Sequence, residues 1–152
     1  MKRLLLTAHA PSENTRLLLD RARRAVTDFG SGLELIEKPP LEVAAEDLLE
    51  ADGLLLGSLE NIGALAGLTK DMFDRCYDDW LDKKPGLPTA IWIRAGLDGT
   101  ASKRQIEAII TAQKWRLIAP PLILKGPWQP DFANATAELA GALAAGMEAD
   151  IF

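Results

Sequence analysis

Hydroxyls, an amide and an imidazole crowd one stretch near the start of the chain: Thr7-Ala8-His9-Ala10-Pro11-Ser12-Glu13-Asn14-Thr15. A helical pattern follows at once. A helix start carries about half a positive charge and unpaired N–H groups, which suits a phosphate monoester. Ser12, Asn14 and Thr15 add side-chain donors. The same residue types also serve as ordinary N-caps. His9 is the only histidine. It suits hydrogen bonding to the phosphate or to a polar chain attached to it, and equally a solvated turn. No serine nucleophile or orienting carboxylate pairs with it, so it is not read as a catalytic base. The stretch lacks Gly-x-x-x-x-Gly-Lys-Ser/Thr and Gly-x-Gly-x-x-Gly, so neither a nucleoside-triphosphatase loop nor a dinucleotide fingerprint stands here.

A second stretch begins Gly57-Ser58-Leu59-Glu60-Asn61-Ile62-Gly63-Ala64 and runs through Gly67 into Lys70-Asp71-Met72-Phe73-Asp74-Arg75. Its glycines let backbone approach a ligand closely. A run of exposed amides hydrogen-bonds the edge carbonyls and ring nitrogens of a planar heterocycle. A third stretch is Arg94-Ala95-Gly96-Leu97-Asp98-Gly99-Thr100. Arg94 would bring a cation to a ligand there; its bland alternative is a surface ion pair. Asp98 suits fixing the turn.

The elements that must position these stretches alternate along the chain. Apolar runs at Leu4–Thr7, Leu33–Glu37, Gly53–Leu56, Thr89–Ile93 and Pro121–Lys125 read as strands. The third and fourth are apolar throughout, as expected when helices cover both faces of a parallel sheet. Helical periodicity occupies Asn14–Phe29, about Val43–Glu50, Leu65–Trp80, Ser102–Trp115 and about Phe132–Glu148. Gly30 and Gly32 are expected to end the first helix by permitting positive φ. Pro39-Pro40 reads as a rigid turn. Right-handed crossovers then predict an α/β three-layer sandwich with a five-stranded parallel sheet in the order 2-1-3-4-5, a single domain over residues 1–152. Ligands of such sheets bind beyond the carboxyl ends of strands one, three and four. The three stretches fall at those ends.

The second stretch, from Gly57-Ser58 through Gly63 and Ala66-Gly67 to Lys70, Phe73, Asp74 and Arg75, resembles the flavin-binding loop and following helix of the flavodoxin-like family. Its NAD(P)H-dependent FMN and quinone reductase branch is the nearest match. Leu59 stands where that branch usually has proline, and Ile62 where an aromatic often flanks the flavin. Ser12, Asn14 and Thr15 resemble the family's phosphate loop, and Gly96 and Gly99 its third, glycine-bearing loop. The resemblance covers nearly the whole chain in element order. It implies FMN as cofactor, held by Thr7, His9, Ser12, Glu13, Asn14 and Thr15, by Ser58, Leu59, Glu60, Asn61, Ile62 and Gly63, and by Arg94, Ala95, Gly96 and Gly99. It implies NAD(P)H and a small electron acceptor as partners, and by analogy a homodimer. Catalysis would belong to the flavin, so no catalytic side chain is named. A flavodoxin-type electron carrier, and a relative that lost flavin and binds a partner, remain open. A phosphoacceptor receiver domain is discounted, because Thr7-Ala8 and Gly57-Ser58 stand where it needs acids.

Composition narrows the classes further. Seventeen Lys and Arg against twenty-two Asp and Glu leave a net charge of −5, which lacks the footprint of a general nucleic-acid binder. One cysteine and one histidine exclude an intrachain disulfide and a thiolate zinc site. No run suits a membrane span or a signal-peptide core, so a cytoplasmic protein is expected. Cys76 lies on an apolar stripe and reads as a buried thiol. Asp71, Asp74, Asp78, Asp79 and Asp82 read as a solvated helix face rather than a docking surface. Trp80, Trp92 and Trp115 read as core or interface, and Trp128, in a proline-bracketed loop, as a candidate for lining the ligand site or a dimer contact.

Overall fold

The computed structural model describes all 152 residues, Met1–Phe152. The chain runs β1 (Arg3–Ala8), α1 (Glu13–Phe29), β2 (Glu34–Glu37), a 3-10 turn (Pro40–Glu42), α2 (Ala45–Leu49), β3 (Gly53–Asn61), β4 (Ala64–Leu65), α3 (Gly67–Trp80), β5 (Pro88–Ala95), α4 (Thr100–Gln113), β6 (Arg116–Leu117), β7 (Leu122–Lys125) and α5 (Asp131–Glu148). The parallel strands lie in the order β2-β1-β3-β5, with β6 and β7 both pairing the far side of β5. This is the anticipated five-strand order, its last strand broken in two. The seventh strand, β4, is a short antiparallel addition to β3.

Alternation along the strands divides the core. Leu4, Leu6, Leu55, Ala90, Trp92 and Leu124 face α1 and α5. Leu5, Leu54, Leu56, Ile91 and Ile93 face α2, α3 and α4. Burying both faces explains the uninterrupted Leu54-Leu55-Leu56 and Ile91-Trp92-Ile93 runs. Under the second layer Phe73, Trp80 and Trp115 form an aromatic trio, with Trp80 6.0 Å from Phe73 and 5.7 Å from Trp115. The Trp80 indole N–H donates to the carbonyl of Ala45 at 2.9 Å. Cys76 is a free, buried thiol in the same cluster, and burial pushes its pKa up. The aspartates of α3 and just beyond it pair at the surface: Asp71 with Arg75 and Asp74 with Lys70 in the helix, and Asp82, after its end, with Lys114.

One expectation needs correcting. Gly30 caps α1 at φ −132°, and neither it nor Gly32 has positive φ. Space is the reason for Gly30, where a Cβ would lie 2.9 Å from that of Ala144; at exposed Gly32 a Cβ would meet only the movable end of Glu148.

Both sheet margins are blunted. On one side β2 carries Glu34, bonded to Arg3, and Glu37, bonded to Arg23. On the other, Ile118–Pro121 interrupts the edge between β6 and β7, and Pro120 and Pro121 have no N–H to offer a ladder. No helix is long and apolar enough to cross a membrane.

Candidate functional site

The first loop leaves β1 tied to β3: the His9 amide donates to the Gly57 carbonyl at 3.0 Å. Ser12 then caps α1 in extended backbone. Its Oγ accepts from the Thr15 amide at 3.2 Å, the Thr15 Oγ1 accepts from the Ser12 amide at 2.9 Å, and the two hydroxyls lie 2.8 Å apart. This reciprocal cap commits both hydroxyls to the helix start. The amides of Glu13 and Asn14, the first two of the helix, have no intrahelical acceptor, and no side chain caps them. Both residues are exposed. Loop one therefore offers an anion backbone donors more than side-chain donors. Thr7 is fully buried, and its Oγ1 has no partner. It alternates with Leu6 and Ala8, so its side chain faces away from α1. The His9 imidazole is partly buried, and desolvation lowers its pKa.

The second stretch departs from the sequence reading. The strand expected to end at Leu56 continues to Asn61, and Gly57, Ser58 and Leu59 pair in parallel with Trp92, Ile93 and Arg94. The chain turns at Ile62-Gly63 and returns as β4, with Asn61 opposite Ala64. Ile62 at φ 52° and Gly63 at φ 72° supply the two positive-φ centres of a type I′ hairpin. Sheet pairing engages the backbone through Asn61. At the tip the Ile62 and Gly63 amides have no acceptor in the protein. The hairpin is braced from beneath: Ser58 Oγ and Thr69 Oγ1 are 2.8 Å apart, and the Leu65 amide donates to Gln105 Oε1 at 2.8 Å. Glu60 lies half-buried, 3.4 Å from the Ser102 hydroxyl.

A β-branched residue at positive φ is strained, at about 1–2 kcal/mol. Ile62 is also fully solvent-exposed, so no packing compensates. Ile62→Asn is expected to stabilise the protein by about 1 kcal/mol, since Asn-Gly is a favoured type I′ pair. An upward shift of the urea midpoint at unchanged slope would record it.

The third stretch holds a cation with no carboxylate. Arg94 is half-buried, and its Nη1 donates to the carbonyls of Ala95 at 2.5 Å and Leu124 at 3.0 Å. Its guanidinium lies 5.0 Å from the Phe132 ring centre and 5.9 Å from that of Trp128. The surface ion pair considered for it does not form, because the α5 start presents aromatic faces instead. Burial lowers its pKa from the ordinary guanidinium value, yet an arginine stays charged in such a setting. Beyond Ala95, Gly96 is exposed, Asp98 Oδ1 accepts from the Thr100 amide at 3.1 Å, and Gly99 caps α4 at φ 70°.

At the same edge a cavity of about 290 Å³ opens between the first loop and the segment after β2. Its walls include His9, Arg16, Pro39, Pro40, Leu41 and Leu68. Among these the sequence points to His9 alone as a ligand-binding residue, and to Pro39-Pro40 only as a turn. The available signal was the strand order, which sets the carboxyl end of β2 beside the first loop. Ile62, Leu97 and Leu41 stand out as exposed large apolar side chains along this rim. A larger hollow, about 690 Å³, lies on the outer surface of α1 and α5, and none of the candidate residues borders it.

The sequence matches no family model and no curated protein. Solved structures do match. A flavodoxin from the domain Archaea superposes with a TM-score of 0.78 at 13% identity, over 93% of this chain and 96% of that one. The fold is flavodoxin-like. An oxidoreductase from Corynebacterium diphtheriae gives 0.73 at 21% identity, over 95% of this chain and 96% of that one. Oxidised Flavodoxin 2 from Bacillus cereus gives 0.74 at 20% identity, over 99% of both. In this flavodoxin-like frame the structure gathers loop one, the hairpin tip and the Arg94 loop at one sheet edge. It does not gather Thr7, whose side chain lies in the opposite layer.

Proposed function

We propose that this chain binds FMN at the carboxyl edge of β1, β3 and β5 and acts as an NAD(P)H-dependent oxidoreductase toward a quinone, flavin or similar small acceptor. One observation carries the reading: uncommitted backbone amides at the α1 start and at the hairpin tip share an edge with an unpaired arginine. The residues fit the group. The Glu13 and Asn14 amides, oriented by the Ser12–Thr15 cap, would hold the phosphate. His9, at the start of the first loop, would meet the polar chain. The Ile62 and Gly63 amides would meet the ring edge. Leu59 and the Ala95–Gly99 loop would border the ring, and Arg94 would set a positive charge near it. When bound, FMN supplies the hydride and electron transfer, while the protein positions it and limits water.

Titration of the protein with FMN, read by quenching of flavin fluorescence and by co-elution, tests the binding. NAD(P)H consumption by the loaded protein tests the turnover. A protein that leaves FMN free in solution would end the proposal. The carrier reading keeps support from the flavodoxins among the similar structures, and FMN binding without NAD(P)H turnover would select it.

A backbone substitution tests the phosphate end. Ser12 sits at φ −121°, ψ 166°, which a following proline accepts, and proline is tolerated at the first helical position. Glu13→Pro removes one amide donor while keeping the helix. It is expected to weaken FMN binding about tenfold relative to Glu13→Ala, the range of one lost charge-assisted hydrogen bond. Equal affinities for the two variants would place the phosphate elsewhere.

A further inference from the structure

We infer that the cavity between the first loop and the segment after β2 is a binding site for a small flat aromatic monoanion, seated against Pro39, Pro40, Leu41 and Leu68 with its charged group toward Arg16. The inference stands on the cavity and does not require the flavin.

Size comes first. At about 290 Å³ the space lies just under the usual range of small-molecule sites, roughly 300–1,000 Å³. It suits a single or fused ring system and is too small to bury a dinucleotide. Wall chemistry comes second. Pro39 and the largely buried Pro40 line it with carbon and no N–H. Leu41 and Leu68 remain 61% and 40% exposed, although Leu68 sits in the first turn of α3, where a polar residue would serve solvent better. These four side chains give an apolar ring somewhere to shed water.

Charge comes third. Arg16 is exposed, and the one hydrogen bond of its side chain is a long 3.3 Å contact to the Pro11 carbonyl. Its i+4 neighbour, Asp20, already bonds Arg23 at 3.0 Å and Arg24 at 3.1 Å. Glu37 at the end of β2 is also taken by Arg23, and Asp47 by Lys38. Each of these acids is committed to another cation, and no carboxylate, Glu13 and Glu42 included, lies within ion-pair distance of Arg16, which lines the cavity. His9, kept toward its neutral form by burial, adds a hydrogen-bonding group without a second charge. One cation beside an apolar slot selects one negative group on a flat apolar body.

The test uses 2-naphthoate and its neutral analogue 2-naphthalenemethanol as probes, followed by amide chemical shifts and calorimetry on the full chain. Both probes are expected to shift the amides of His9, Arg16, Leu41 and Leu68, with the anion binding more tightly. Arg16→Gln is expected to weaken 2-naphthoate about tenfold and leave the alcohol unchanged. Leu41→Asp, at a surface position that does not threaten folding, is expected to weaken both. Shifts confined to other residues, or an unchanged anion-to-alcohol preference in Arg16→Gln, would overturn the inference. A final arm adds FMN. Naphthoate binding that persists at saturating FMN supports a separate site. Competition would make the cavity part of the flavin's own seat and overturn the separate assignment. A protein that binds naphthoate but not FMN would sink the flavin reading alone.

Discussion

Gly57→Val is expected to lower the melting temperature by roughly 5–10 °C and to damage ligand binding with it. A Cβ at this position would lie 2.2 Å from Trp92 Cζ2 and 2.3 Å from Cε2. The indole cannot retreat, because Trp92 is itself buried in the layer under α1 and α5. Overpacking of this kind costs about 1–3 kcal/mol, and valine adds two methyl groups to the clash. The position is also central to the site. Gly57 pairs with Ala8 on one side and Trp92 on the other, and its carbonyl holds the His9 amide. Pushing β3 off Trp92 would therefore displace the first loop. Trp92→Leu should recover part of the loss in the double variant, a coupling expected only of residues in contact. A Gly57→Val protein as stable as its parent would mean that Trp92 lies elsewhere.

Trp80→Ala is the costliest single truncation expected, at about 3–5 kcal/mol. The side chain has 0% exposure and touches both other members of the aromatic trio. It also donates to Ala45, so the truncation would lose a hydrogen bond as well as open a cavity. Typical domains have only about 5–15 kcal/mol to lose. Denaturant melts would give the global figure. Trp80→Phe should keep most of the packing and lose the hydrogen bond, for a smaller loss of about 1 kcal/mol from that bond. Because α3 braces the hairpin through Thr69 and Ser58, hydrogen exchange at Ser58 and Leu65 is expected to accelerate in Trp80→Ala.

Much of this architecture is legible in the chain because burial on two faces leaves a plain mark. Leu54-Leu55-Leu56 and Ile91-Trp92-Ile93 admit few readings besides central parallel strands. The second half of β3 is different. Gly57-Ser58-Leu59-Glu60-Asn61 has the composition of a loop, and it is extended because Trp92, Ile93 and Arg94 pair with its first three residues from far along the sequence and β4 pairs with Glu60 and Asn61. No local propensity would place isoleucine at positive φ, so the Ile62-Gly63 turn is invisible until the hairpin is seen. Glycines give the same lesson. Gly30 and Gly63 look alike in sequence, yet one avoids Ala144 and the other supplies a left-handed turn. Arg94 looked like a surface ion-pair candidate because its neighbours, Trp128 and Phe132, arrive from another element. The cavity beside Arg16 depends on β2 lying next to β1, a matter of strand order rather than of any motif.

The blunted sheet margins bear on how copies of this protein meet. A strand from a second molecule finds acidic side chains along one border and a proline gap along the other, so continuous cross-molecule ladders, the route to fibrils, start poorly at either. Any homodimer would have to join through its helical flanks, leaving each seven-stranded sheet complete within its own subunit.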